Sequence, residues 1–332
     1  MKKWILIFYL TMCISPVWSQ EFTVKFATLA PEGSTWINIM KEYDAAVRKE
    51  SNGRVGFRLY PGGVAGDEKD VIRKIRLGQL QSAGVTGFGI GEMAKPVRIL
   101  DAPFLFKNVA EIDHILTTFD EEFRAEFEKG GFVLLGWAEV GFVYVFTNTP
   151  VSKVADMKNV KMWEWEGDPV AETTFKQLGI NTNKLSITDV LMSLQTGLIN
   201  GVYTSPLAAV SLQWFAATKY MMDLPLTNSM GAVIISKRIF DKMPEDIQQI
   251  LLKHGKSSMR KLTEQSRLDN QKSLETLKKN KIQFVKPDPV EVNTYEEIGR
   301  RARQEMVGRL FSQDLLSRVE KSLAEFRMKG NK

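Results

Sequence analysis

Apolar positions along this chain recur at two spacings, every second residue in short runs and every third or fourth in longer ones. "EFTVKFATLA" alternates and then turns wholly apolar, which predicts a strand running into a core. In "PEGSTWINIMKEYDAAVRKES", Trp36, Ile39, Met40, Tyr43 and Val47 fall on one helical face behind Pro31 and Ser34. An Asn-Gly turn opens a second strand, "NGRVGFRLYP", and a glycine loop then leads into a helix ended by Gly78. "LQSAGVTG" predicts a short buried strand, "AKPVRILDAPFLF" an irregular stretch, and "VAEIDHILTTFDEEFRAEFEKGG" a helix stopped by its glycines. Two more strands follow around Gly136 and Gly141.

A second series repeats the alternation. It runs strand "VKMWEW", helix "DPVAETTFKQLG", strand "INGVYTS" and helix "PLAAVSLQWFAATKY", then a strand ending "GAVIIS" and a helix "KRIFDKMPEDIQQILLKHG" closed at Gly255. The tail, about residues 256–330, reads as almost entirely helical, broken near "IQFVKPDP". Strand and helix in alternation with short loops predict α/β units on a mostly parallel sheet, here as two lobes joined by several crossings.

The first twenty residues stand apart. "MKK", the apolar run "WILIFYLTMCI" and the small residues of "SPVWSQ" match a cleaved secretory signal peptide, residues 1–20. The run is short of the roughly 20 apolar residues of a spanning helix. Met12 before Cys13 disfavours lipidation, because a small residue normally precedes a lipidated cysteine. Cys13 is the only cysteine, so a processed chain has no disulfide, which fits export to a bacterial periplasm. Net charge is +6, but the basic residues are scattered among acidic ones, which excludes a nucleic-acid stripe. The only histidines are His114 and His254, and no GxSxG, HExxH or Walker loop is present, so the chain offers no enzymatic constellation.

One stretch is chemically unusual. "VKMWEWEGDPV" places Trp163 and Trp165 on one face of a strand, with Met162, Glu164 and Glu166 on the other. Read from the residues alone, the pair either fills a core or lines a site. Asp168 and Pro169 form an N-cap and first turn, whose free N–H groups suit an anion. Glu164, Glu166 and Asp168 are hard oxygen donors, but three acids within one short strand do not converge by themselves.

The segments "GSTW", "SNGRVGFRLYPGGVAGDEKDVIRKIRLGQLQSAGV", "APFLF", "FTNTPVSKVADMKNVKMW", "LMSLQTGLINGVYTSP" and "SKRIFDKMPEDIQQIL" occur in this order and closely resemble the solute-binding proteins of tripartite ATP-independent periplasmic (TRAP) transporters, dicarboxylate-binding type. The resemblance implies the α/β, two-lobed periplasmic solute-binding fold, with an interlobe cleft, a long bracing helix and a helical C-terminal segment. Lobe I is expected over 21–145 plus about 230–255, and lobe II over about 146–229 plus about 256–330, with C-terminal helices crossing between them. It implies no catalysis and no cofactor. Its partners would be a small-molecule ligand and the small and large membrane subunits; some relatives add a tetratricopeptide-repeat protein. An alternative on the same fold is a sensor or carrier handing an apolar compound to another periplasmic protein.

The resemblance also marks a departure. Relatives carry an arginine in the strand after "DMKN", where it grips the ligand carboxylate in a two-pronged ion pair. Trp163 stands at that position, and a second arginine expected before "TN" is missing from "GFVYVFTN". An indole gives a large apolar face and one N–H donor instead. The expected ligand is therefore a small, partly hydrophobic organic molecule, an organic acid among the options. The candidate ligand-binding residues are Trp163, Trp165, Tyr203, Phe88, Trp214 and Phe215.

Overall fold

The structure, a computed structural model, describes residues 21–330. The signal-peptide segment lies outside the described residues.

The first lobe builds from β1 (Phe22–Thr28), α1 (Thr35–Glu50), β2 (Val55–Tyr60), α2 (Glu68–Arg76), β3 (Ser82–Thr86), α3 (Gly87–Gly91), a 3-10 segment Lys95–Asp101, α4 (Val109–Lys129) and β4 (Phe132–Trp137). The chain then crosses over and lays down β5 (Gly141–Thr147), β6 (Met162–Trp165), α5 (Pro169–Leu178), β7 (Thr182–Leu185), α6 (Val190–Thr196), β8 (Gly201–Thr204), α7 (Pro206–Ser211), β9 (Tyr220–Met222) and β10 (Thr227–Ser229). It returns through β11 (Gly231–Ser236) and α8 (Lys237–Phe240), and ends with α9 (Glu245–Lys279), β12 (Gln283–Val285), α10 (Pro289–Met306) and α11 (Gln313–Gly330).

Side-chain caps start these helices, at Ser34 as expected from the sequence and at three further positions. Ser34 accepts from the Ile37 N–H, Asp67 from Glu68, Asn108 from Glu111 and Ser205 from Ala208, each relieving an unpaired first-turn donor. The stripe of α1, Trp36 to Val47, is buried against β1 and α9 in one of two cores beside the first sheet.

The first sheet has the order β2-β1-β3-β11-β4, and the second runs β12-β9-β5-β8-β6-β7 with β10 against β5. All strands of each sheet run one way except β11 in the first and β5 in the second. These two exceptions adjoin the crossings. The outgoing crossing therefore falls at residues 138–140, earlier than the 145 expected, because β5 belongs wholly to the second sheet. The two crossings bond to each other, Ala138 N–H to Gly231 O at 2.8 Å and Val140 N–H to Ser229 O at 3.0 Å.

Helix α9 braces both lobes. Ile247, Leu251, Met259 and Leu262 pack into the first lobe's core, and Leu277 into the second's. Between them Asn270 donates to Val140 O of the crossing and accepts from the Leu207 N–H at the start of α7. The sequence reading stopped a helix at Gly255, whereas α9 runs straight through it. A Cβ there would lie 2.7 Å from Leu135 O, so this glycine permits close helix–strand packing rather than termination. The helix expected over 206–220 is also interrupted, at Gln213, whose φ of 59° turns the chain into a 3-10 segment Trp214–Ala217. No helix among the described residues is long and apolar enough to cross a membrane.

Candidate functional site

Thr28, Thr86, Trp165 and Thr204 close the C-terminal ends of parallel strands β1, β3, β6 and β8, and all four line a cavity of about 350 Å³ between the lobes. Strand ends in α/β sheets meet ligands at such crevices, and the volume lies in the range of small-molecule sites. The first lobe contributes the β1–α1 loop, Phe88 and the 3-10 segment; the second contributes β6, α5 and β8; the crossing strands supply Val143 and Thr227 to Ser229.

Trp163 and Trp165 both lie on the wall, as does Tyr203. The Trp163 N–H donates to Leu185 O at 3.0 Å, and its ring stacks on Tyr203, centroids 4.8 Å apart at 21°. Tyr203 Oη accepts from the Trp165 N–H at 3.2 Å, which locks the phenol beside β6. Phe88 comes from the opposite lobe and rests on Trp165 at 4.7 Å. Trp214 and Phe215 depart from the sequence reading. Neither lines the cavity. Trp214 meets Trp163 edge-on from behind, at 5.2 Å and 78°, because the turn at Gln213 folds its segment against the aromatic cluster.

The acids around β6 diverge. Glu164 is buried on the far face, accepting from the Thr182 hydroxyl at 2.6 Å; Glu166 is exposed; Asp168 caps α5 through the Val170 N–H. No group of three metal-ligating side chains occurs among the described residues. The Asp168 carboxylate itself occupies the start of α5, so that N-terminus is not the open anion site expected from the sequence.

Sequence reading missed the one basic side chain on the wall. Arg98 is buried in the irregular stretch, its Nε 2.9 Å from Asp101 Oδ2 and its Nη2 3.0 Å from Asp168 Oδ1 across the interlobe boundary. Burial opposes the guanidinium's charge, but Asp168 and Asp101 outweigh it and hold the pKa above its ordinary value. Burial pushes Asp101 up to about 6, against the pull of Arg98 and the Met230 N–H. The discernible signal was Arg-x-x-Asp inside an otherwise apolar, proline-bounded run. Glu68, also on the wall, accepts from Thr86 N–H, Thr86 O–H and Gly89 N–H, yet burial pushes it up to about 7. Asn228 of β10 completes the polar wall; it is fully buried and neither side-chain polar atom has a partner.

Next to the cavity the lobes are fastened by Asp67. Besides capping α2, its carboxylate accepts from Trp165 Nε1 at 3.0 Å, Ser186 Oγ at 2.6 Å and Ile187 N–H at 3.2 Å, all from the second lobe. With the Arg98–Asp168 pair, these bonds hold the cleft closed.

Two α/β lobes, crossing strands, a bracing helix and an interlobe cavity give the chain the architecture of a two-lobed solute-binding protein. The model of the bacterial extracellular solute-binding protein family 7, DctP, matches residues 26–309, and the chain belongs to that family. It is 22% identical to the C4-dicarboxylate-binding periplasmic protein DctP of Rhodobacter capsulatus over 93% of both chains. It is 26% identical to a solute-binding protein of Verminephrobacter eiseniae, in a match spanning 62% of each chain. Among solved structures, the sugar acid binding protein DctPAm of Advenella mimigardefordensis, in complex with galactonate, superposes with a TM-score of 0.86 at 18% identity, covering 92% of this chain and 99% of that one. As a member of this family the chain is a solute-binding protein rather than an enzyme.

Proposed function

We propose that the chain captures a small, partly hydrophobic organic ligand in the interlobe cavity and delivers it to the membrane subunits of a TRAP transporter, after export by its N-terminal signal peptide. The observation that carries this reading is the composition of the wall. Trp165, Tyr203 and Phe88 line the wall with aromatic rings and Trp163 packs among them at 1% exposure, while the wall's single guanidinium is ion-paired with two aspartates. Burying apolar ligand surface against such a wall contributes about 25 cal/mol per Å², a few kcal/mol for one aromatic or branched face. Relatives named for dicarboxylates and sugar acids bind small anions; here those anions would meet a cation already ion-paired with Asp101 and Asp168.

Handing the ligand to a tetratricopeptide-repeat partner, or acting as sensor or carrier, is compatible with the same cavity. Membrane-subunit genes beside the coding sequence favour transport, and their absence favours the carrier. A thermal-shift screen over succinate, malate, galactonate, and branched, aromatic and medium-chain compounds tests the ligand reading. The largest shifts are expected from compounds with an apolar body. A large shift from a short dicarboxylate or a sugar acid alone contradicts it.

A further inference from the structure

We infer that the polar end of the ligand is an uncharged group that both donates and accepts hydrogen bonds, a carboxamide or lactam, and that Asn228 selects it. This rests on the reading of the cavity as a site for a partly hydrophobic molecule, and narrows it to a chemical class.

Asn228 is held by its strand. The residues around it are anchored, Thr227 Oγ1 on Asp101 O at 2.6 Å and, just past β10, the Met230 N–H on Asp101 Oδ1 at 2.9 Å, and Asn228 pairs with Phe142 of β5. The side chain is 0% exposed, lies on the cavity wall, and leaves both Oδ1 and Nδ2 without a protein partner. A buried donor or acceptor left unpaired costs about 1–3 kcal/mol, and this amide has both. The acids of the wall are already engaged: Glu68 by three donors, Asp168 by Val170 and Arg98, Asp101 by Met230 and Arg98. Arg98 Nε and Nη1 are the wall's other buried polar atoms without a hydrogen-bond partner, and both can only donate, so Asn228 is the one unpartnered wall group that offers an acceptor as well as donors.

Its chemistry discriminates between ligand classes. An ionised carboxylate accepts from Nδ2 but gives Oδ1 nothing, since it carries no donor. It would also add a negative charge beside Glu68, Asp101 and Asp168, against the single guanidinium of Arg98. Burial already pushes Glu68 and Asp101 upward, so the wall resists negative charge before any ligand enters. An ammonium satisfies Oδ1 and the acids but leaves Nδ2 without an acceptor. A carboxamide gives its N–H to Oδ1 and takes Nδ2 on its carbonyl, so both needs are met by one neutral group.

The test is calorimetric titration of the full processed chain at pH 7.5 with matched pairs that share an apolar body: phenylacetamide and phenylacetate, 4-methylpentanamide and 4-methylpentanoate, hexanamide and hexanoate. At least one amide is expected to bind tenfold or more tightly than its acid. Asn228→Leu, which keeps the volume, and Asn228→Ala, which removes both donor and acceptor, should each cut that ratio to near one, with circular dichroism confirming folded protein. An acid equal to or tighter than its amide in every pair, no binding by any member, or an unchanged ratio in both variants overturns the inference. Tight binding of the apolar acids overturns it while leaving the hydrophobic-ligand reading intact. Binding of galactonate or succinate alone removes both.

Discussion

Trp163 is fixed on every side: N–H on Leu185 O, face on Tyr203, edge against Trp214. A ring so held, 1% exposed, fixes the Tyr203 and Trp165 rings of the wall in place, so on the proposed reading little ordering entropy is lost on binding. Trp163→Leu should weaken ligand binding by at least tenfold, measured by calorimetry, as truncation of a central aromatic contact does. Unchanged affinity in a folded variant would return the ring to a purely structural role. Glu68 gives a second prediction at this scale. Its carboxyl is raised from 4.5 to about 7 in the folded chain, so the folded state holds a proton that the unfolded state releases. The stability this proton contributes is complete below pH 4.5 and is lost as pH rises toward 7. Subtracting the melting curve of Glu68→Gln from that of the wild type should therefore give a difference that falls across pH 4.5–7 and is flat above. The candidate site was only half legible in the sequence. Trp163 and Trp165 were placed on the wall by their alternation on a strand, and Tyr203 by its position at a strand end. Arg98, Asp101, Asp67 and Asn228 lie in a 3-10 segment, a loop and a short strand, where no period relates a residue to the partner it meets from another lobe.

At the scale of elements, capping and periodicity carried most helices. Ser34, Asp67, Asn108 and Asp168 sit at the starts where their side chains are useful, and α1 and α4 bury the stripes their spacing predicts. Misreadings came from glycine and from backbone turns without one. Gly255 looks like a stop by propensity but is a packing residue, because tertiary contact with Leu135 overrides local preference. This is testable. In an exposed helix interior Gly→Ala stabilises by about 1 kcal/mol, but Gly255→Ala puts a methyl 2.7 Å from Leu135 O and should destabilise by about 1–3 kcal/mol in a urea melt. A stabilised variant would show that α9 is free to lift from β4. Gln213 broke a predicted helix without any glycine or proline to signal it, and that turn is what carries Trp214 and Phe215 off the cavity wall.

The whole molecule works as two rigid lobes on a paired crossing, closed over the cavity by a few polar fastenings. Asp67 is the principal one, since three second-lobe donors end on one carboxylate that also caps α2. Trp165 belongs to both wall and fastening, with its indole N–H on Asp67 and its face on Phe88, so a ligand seated against it also supports closure. Asp67→Ala should shift the molecule toward an open form, read as a larger radius of gyration in small-angle scattering and a faster ligand off-rate. An unchanged radius would assign closure to Arg98–Asp168 alone. The central claim, that apolar contact replaces a free cation in this cavity, is tested most directly by mass spectrometry of small molecules released from protein purified natively from its own cells. The account predicts compounds with an apolar body and an uncharged polar end. Recovery of a dicarboxylate or a sugar acid as the dominant species would contradict it.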